Sequence, residues 1–126
     1  MGTKIALVCL SSLLLATTTC YGQDTGRKYY TPTQYLKNYA LSSCIADGYK
    51  TEKIAYDDAV AGARGYLELG SLSIDAYNEA AALGRKFLAK EYLSKDSGQK
   101  LTLMKCIDFY HSKELDQLAK KYARKK

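Results

Sequence analysis

The sequence is poor in the residues that metal sites and cofactor-dependent centres use. Its 126 residues include one histidine, four cysteines and no tryptophan. A zinc site takes three or four nitrogen, sulfur or oxygen ligands, and one histidine beside cysteines that are oxidised does not supply them. No glycine-rich loop follows a predicted strand, so a phosphate-binding signature is missing too. We therefore expect no metal ion and no other cofactor.

The reactive side chains that are present lack partners. Cys106 and His111 are five residues apart, about 140° around a helix axis, so they do not face each other unless a break in the helix brings them together. Asp57 and Asp58 are adjacent and point to different sides of a helix. We predict no catalytic residues and a protein that is not an enzyme.

Strand signals are missing as well. No stretch alternates apolar and polar residues for long, and the single proline, Pro32, suits the first turn of a helix. Apolar residues instead recur at helical spacing. The sequence predicts an all-α fold, a small bundle of four main helices whose last helix is broken into two at His111–Ser112.

Capping residues and glycines predict where the helices begin and end. Gly70 suits the left-handed turn in which helices commonly finish, and Ser112 can accept a hydrogen bond from an unpaired amide at the start of the last helix. The predicted starts are Thr31, Thr51, Ser73 and Ser112, and the predicted ends are Gly48 and Gly70. The residues predicted to face inward are Leu36, Ala40, Leu41, Cys44, Ile45, Ala55, Ala59, Gly62, Ala63, Tyr66, Leu67, Ala76, Ala80, Leu83, Phe87, Leu88, Leu103, Ile107, Tyr110, Leu115, Leu118 and Tyr122.

Residues 1–22 have the pattern of a secretory signal peptide. Lys4 precedes the apolar run Ile5–Ala16, and Cys20 and Gly22 place small residues at −3 and −1. The run is shorter than the roughly 20 residues that span a bilayer, so we expect cleavage after Gly22, export, and no stable membrane insertion. A retained anchor and lipid attachment at Cys20 remain as alternatives.

Processing leaves residues 23–126 as a single domain with two cysteines, Cys44 and Cys106. Two cysteines in an oxidising compartment have one pairing, so we predict a disulfide bond between the first and fourth helices. Two free buried thiols are the alternative.

Charge and aromatic content point to binding. The net charge is +6, with a basic tail at Lys120–Lys126, and an export signal argues against nucleic acid as the partner. The chain has 12 tyrosines, and interfaces are enriched in tyrosine. Those predicted to lie off the apolar stripes are Tyr29, Tyr30, Tyr56, Tyr77 and Tyr92.

Two segments carry a family resemblance. KCIDFYHSKELDQL at residues 105–118 and YLKNYALSSCIADGYK at Tyr35–Lys50 resemble the amidase immunity proteins of type VI secretion systems. These are small periplasmic helical inhibitors of a peptidoglycan amidase. The resemblance implies a periplasmic homodimer that occludes the active site of two cysteine-peptidase-type amidases and protects the cell from itself and its sister cells.

The resemblance also implies a site. In the family an exposed loop enters the amidase groove, and a helix of the second subunit supports it. By position, that helix is residues 73–91, with Tyr77 and Arg85 as supporting residues. His111 belongs to the matching segment, with a structural role at the helix joint or a contact with the partner as its two interpretations. The predicted effector-binding residues are Tyr92, Leu93, Ser94, Lys95, Asp96, Ser97, Gly98, Gln99 and Lys100.

A different class of function also fits the charge. A small exported helical module would bind the anionic envelope through its basic C-terminal tail, with no enzyme partner. A secreted toxin or enzyme is disfavoured because catalytic groups are missing.

Overall fold

The computed structural model describes residues 29–92 and 98–125, and every residue described as regular structure is helical. The all-α prediction is confirmed, as is the break of the last helix at His111–Ser112. The predicted signal peptide, 1–22, lies outside the described residues. No helix within the described ranges is long and apolar enough to cross a membrane. The helices are α1 (Pro32–Gly48), α2 (Lys53–Leu69), α3 (Ile74–Leu88), α4 (Thr102–Tyr110) and α5 (Lys113–Ala123).

Side-chain caps determine where α1 and α5 begin. At α1, Thr31 Oγ1 accepts a hydrogen bond from the Gln34 amide at 3.3 Å, and Gln34 Oε1 accepts from the Thr31 amide at 2.9 Å. At α5, Ser112 Oγ accepts from the Leu115 amide at 3.2 Å. These reciprocal or single bonds satisfy amides that have no partner inside the helix. Both predicted starts are confirmed.

The ends of α2 differ from prediction. Its N-cap is Glu52 rather than Thr51, and no side chain bonds to the free amides there. Gly70 does end the helix, but its φ of −80° and ψ of 160° are extended rather than left-handed. The reason for glycine here is space, because a Cβ on Gly70 would lie 1.7 Å from the hydroxyl oxygen of Tyr77.

The core forms around α1, which packs against each of the other four helices. The predicted inward faces of α1, α3 and α5 supply most of it, and α2 contributes the small residues Ala59 and Ala63. Small side chains let a neighbouring helix approach closely, as expected for α2 against α1. The buried core residues are Leu36, Ala40, Cys44, Ala76, Tyr77, Ala80, Phe87, Cys106, Phe109, Leu115, Ala119 and Tyr122.

The predicted disulfide is present. Cys44 of α1 and Cys106 of α4 are bonded with their Cα atoms 5.7 Å apart, and both side chains are buried. Gly84 of α3 lies directly over this bond, because a Cβ there would be 3.1 Å from the Phe109 ring and 3.5 Å from Cys44 Cβ. The absence of a side chain at Gly84 lets α3 close over the cross-link.

Tyr77 corrects one prediction. It is 1 % exposed, not a surface tyrosine, and its ring packs edge-on against Tyr39 with centroids 5.0 Å apart. Burial raises the pKa of its hydroxyl, partly offset by the nearby Leu72 backbone. Within the described residues that hydroxyl has no hydrogen-bond partner. A residue in this position stabilises the core.

The face of α4 was also predicted wrongly. Leu103 and Ile107, expected inward, are 49 % and 45 % exposed, and the buried residues are Lys105, Cys106 and Phe109. The disulfide sets the rotation of α4 by directing Cys106 toward α1. This rotation turns Leu103 and Ile107 toward solvent.

Candidate functional site

The predicted effector-binding segment, residues 92–100, lies in the connection between α3 and α4. Residues 93–97 lie outside the described part of the chain, so its description rests on Tyr92 and on residues 98–100. All of these are non-helical, and Gly98, Gln99 and Lys100 are exposed. The helices on either side determine how the segment is presented.

A side chain of α4 holds the start of the segment. The hydroxyl of Tyr92 donates a hydrogen bond to Asp108 Oδ2 at 2.8 Å. This bond, followed by partial burial and the carboxylate charge, raises the pKa of Tyr92 because loss of the phenolic proton would bring two negative charges together. The segment therefore leaves α3 tied to α4.

A buried lysine adds a second contact at the junction between the end of α3 and α4. Lys105 is 8 % exposed, and its Nζ donates a hydrogen bond to the carbonyl of Leu88 at 3.1 Å. Leu88 is the last residue of α3, where carbonyl groups have no partner inside the helix and the dipole is negative. The ammonium group also lies 5.8 Å from the centre of the Tyr92 ring. Lys105 thus caps α3 and lies beside the point where the segment begins.

The end of the segment has an unusual backbone. Leu101, the N-cap of α4, has φ 48° and ψ 40°, a left-handed conformation that a side chain makes costly. Gly98 also has a positive φ, 62°, which glycine adopts without that cost. The two bends direct residues 98–101 sharply into α4.

Next to this junction, α4 presents an apolar face to solvent. Leu103, Met104 and Ile107 are 49 %, 54 % and 45 % exposed. Together with Tyr49 and Leu101 they line an open cavity of about 550 Å³. Sequence reasoning missed this face by placing Leu103 and Ile107 in the core.

The two residues predicted to support a second subunit are not brought together on one surface. Tyr77 is in the core. Arg85 is on the outside of α3, with Nη1 3.5 Å from Asp47 Oδ2, and Asp47 also pairs with Lys50 at 3.1 Å. Of the pair, Arg85 alone is available to a partner.

Further polar contacts join α5 to the helices beside it. Glu79 Oε1 accepts from the Tyr122 hydroxyl at 2.6 Å, and Glu79 Oε2 pairs with Lys121 at 2.9 Å. The bond from Tyr122, and then that from Lys121, lowers the pKa of Glu79, and the Glu79 carboxylate raises the pKa of Tyr122 to about 12. On the other side of α5, Lys37 Nζ lies 2.6 Å from Asp116 Oδ1 and lowers the pKa of that carboxyl. These contacts tie α5 to α3 and α1.

His111 lies at the end of α4, as predicted. Its backbone amide donates to the Ile107 carbonyl at 3.1 Å, and its exposed ring packs edge-on against Tyr110. Cys106 is buried in the disulfide, so this pair forms no nucleophile and base. Among the described residues, no group of three or more His, Cys, Asp or Glu side chains could hold a metal ion.

Comparison with known proteins assigns the chain to a family. The family described as type VI secretion system (T6SS), amidase immunity protein, Tai4, matches residues 34–119. The chain belongs to this family. It is an immunity protein for a T6SS amidase effector, and not an enzyme.

A solved structure supports the assignment. A chain in the structure of the effector–immunity system Tae4/Tai4 from Salmonella typhimurium is 40 % identical to this immunity protein, with a TM-score of 0.67. The match covers 72 % of this chain and 88 % of that chain. No curated protein sequence matches the chain.

Proposed function

We propose that this immunity protein acts in the periplasm by binding a peptidoglycan amidase of the cysteine-peptidase type and occluding its active site. In this way it protects the cell from its own effector and from that of sister cells. The observation that carries the proposal is the match of residues 34–119 to the amidase immunity family. The Tae4/Tai4 relative is itself part of an effector–immunity system.

The junction of α3 and α4 supports an inhibitor that inserts a segment into a cleft. Tyr92 is bonded to Asp108, and the α3 terminus is bonded to Lys105. Both α4 residues flank Cys106, which is cross-linked to α1. These contacts fix the flanks from which the segment would be presented, and flanks ordered before binding lower the entropy cost of association.

The periplasmic location follows from the predicted leader, residues 1–22, and agrees with the disulfide bond between Cys44 and Cys106. Disulfides persist in oxidising compartments such as the bacterial periplasm. A tag-free precursor should therefore yield a mature protein beginning at Gln23 in the periplasmic fraction.

The homodimer is part of the same proposal. One subunit inserts its α3–α4 segment, and α3 of the other supports the contact through Arg85, whose side chain is 55 % exposed. Tyr77 acts indirectly, by packing α3 into the core.

Inhibition of peptidoglycan hydrolysis tests the proposal. The purified mature protein is titrated into the amidase effector of the same secretion system, and hydrolysis should fall to background at stoichiometric ratio. Replacing residues 93–100 by a glycine–serine linker of equal length should abolish inhibition and co-purification. Deleting residues 123–126 should leave both intact.

The same two variants also distinguish amidase inhibition from the alternative function, binding to the anionic envelope through the basic tail. If that alternative holds, the linker variant still binds anionic vesicles and the tail deletion does not. The tail has structural contacts of its own, since Lys121 pairs with Glu79 and Lys125 lies 5.1 Å from the centre of the Tyr122 ring.

A further inference from the structure

The exposed apolar side chains of α4 form one continuous surface. Leu103, Met104 and Ile107, here called the α4 patch, lie within about 100° of one another around the helix and are each about half exposed. Other large exposed apolar residues are dispersed, with Ile54 and Leu69 at opposite ends of α2. Isolated exposed apolar residues are normal on protein surfaces, whereas grouped ones beside a cavity indicate a contact.

We propose that the α4 patch is a second docking surface for the amidase, adjacent to the segment at residues 92–100. It takes apolar side chains of the enzyme into the cavity beside Leu101, and Lys100 at the rim pairs with a carboxylate of the enzyme. This inference rests on the proposed function and extends it from a loop that fills a cleft to a loop with an apolar platform behind it.

Continuity with the segment is the first argument. Residues 98–100 lead directly into Leu101, whose left-handed backbone turns the chain onto the face that bears the α4 patch. Strained backbone that is kept in a fold is concentrated at functional sites. An enzyme that contacts Gln99 and Lys100 therefore also contacts the cavity, because the same residues line it.

The size of the surface is the second argument. With three side chains about half exposed, the α4 patch offers roughly 300 Å², the low end of the largest apolar patches on monomers. A stable interface buries ~800 Å² on each partner, so the patch alone is too small to hold a second copy of the chain. It matches the apolar centre of an interface whose polar rim comes from a neighbouring loop.

Charge is the third argument. The cavity lining contains one charged side chain, Lys100, and no carboxylate. A symmetric contact between two copies through this cavity would bring two Lys100 side chains close together with no lining acid to offset them. A partner that carries a carboxylate at this point avoids the repulsion between two lysine side chains and pairs with Lys100 instead.

The test compares two double variants of the mature protein, each titrated into the purified amidase effector of the same secretion system. Leu103→Ser with Ile107→Ser alters the α4 patch. Ile54→Ser with Leu69→Ser is the matched control, because these residues are 89 % and 45 % exposed and lie on α2. Because all four side chains are at least 45 % exposed, both variants should keep the helical circular dichroism of the wild type.

The expected result is an amidase Kd at least tenfold weaker for the patch variant and unchanged for the control. Lys100→Glu should also weaken binding, and Lys113→Glu, at the start of α5, should not. A patch variant that binds as the wild type does, while the wild type inhibits, overturns the inference and leaves the proposed function standing. If the variant instead shifts a sedimenting dimer to monomer at unchanged amidase affinity, a second copy occupies the patch and the inference is wrong. A wild type that does not bind the amidase at all refutes both.

Discussion

Loss of the Cys44–Cys106 bond should remove a large part of the stability of this domain. The bond closes a loop with a sequence separation of 62 residues. In the chain-entropy treatment a loop of that length stabilises the folded state by about 4 kcal/mol. A single domain is commonly stable by about 5 to 15 kcal/mol in total, so the cross-link supplies a substantial fraction.

Packing adds to this loss when the sulfur atoms are removed. Cys44 and Cys106 are 1 % and 0 % exposed, in contact with the aromatic core around Phe109 and Gly84. Cys44→Ala with Cys106→Ala therefore leaves unfilled space as well as an open chain, at a further cost of about 1 to 2 kcal/mol. Reduced wild type keeps both sulfur atoms in place and lacks only the bond, so it is the control that separates the two contributions.

Urea unfolding followed by circular dichroism measures all three forms. The wild type is reduced in denaturant and refolded with reductant present, because the buried bond is inaccessible in the native state. We expect oxidised wild type to be most stable, reduced wild type lower by about 4 kcal/mol, and the alanine variant lowest. Reduced and oxidised protein that unfold within about 1 kcal/mol of each other would refute the reasoning.

Three further predictions test other parts of the structure. Gly70→Ala should destabilise the fold by about 2 kcal/mol because its Cβ would collide with the buried Tyr77 hydroxyl, and Tyr77→Phe, itself nearly neutral, should restore part of the loss in urea unfolding. The lowered pKa of Glu79 stabilises the fold above the ordinary value of 4.5 and loses that effect as the pH falls, so Tm should drop more steeply below pH 4.5 in the wild type than in Glu79→Gln. An equal slope in both would show that Glu79 is not responsible. Tyr92→Phe should weaken binding to the amidase at unchanged Tm, because it frees the start of the segment from Asp108, whereas Tyr29→Phe should bind normally.

Much of the helical architecture was predictable from local chemistry. Thr31 with Pro32 and Ser112 begin helices because they satisfy free amides or need none, and these signals do not depend on the rest of the fold. The pairing of Cys44 with Cys106 was predictable because the predicted removal of residues 1–22 would leave no other cysteine. The family resemblance supplied the function, which the residues alone did not specify.

The exposed face of α4 was missed because helical spacing does not by itself say which of two apolar stripes is buried. The predicted disulfide bond indicates which stripe is buried, because Cys106 must face α1. At 100° per residue, Ile107 lies about 160° from Phe109, so a helix rotated to bury Cys106 and Phe109 must expose Ile107.

Tyr77 and Lys105 were missed for different reasons. Tyr77, Ala80, Gly84 and Phe87 form one stripe of α3, but Gly84 has no side chain and so breaks the apolar pattern. Burial of Lys105 depends on the α3 terminus that it caps, and this contact joins residues 17 positions apart across the undescribed segment. Only the folded arrangement shows that partner.

The rate at which iodoacetamide alkylates the catalytic cysteine that we propose for the amidase tests occlusion of the active site most directly. Once the proposed leader, residues 1–22, is removed, the two remaining cysteines are joined in the disulfide, so the mature immunity protein would contribute no reactive thiol. We predict that a stoichiometric amount of it slows alkylation to the background rate, and that the glycine–serine linker variant gives no protection. Alkylation at the free-enzyme rate within a stable complex would contradict occlusion of the active site.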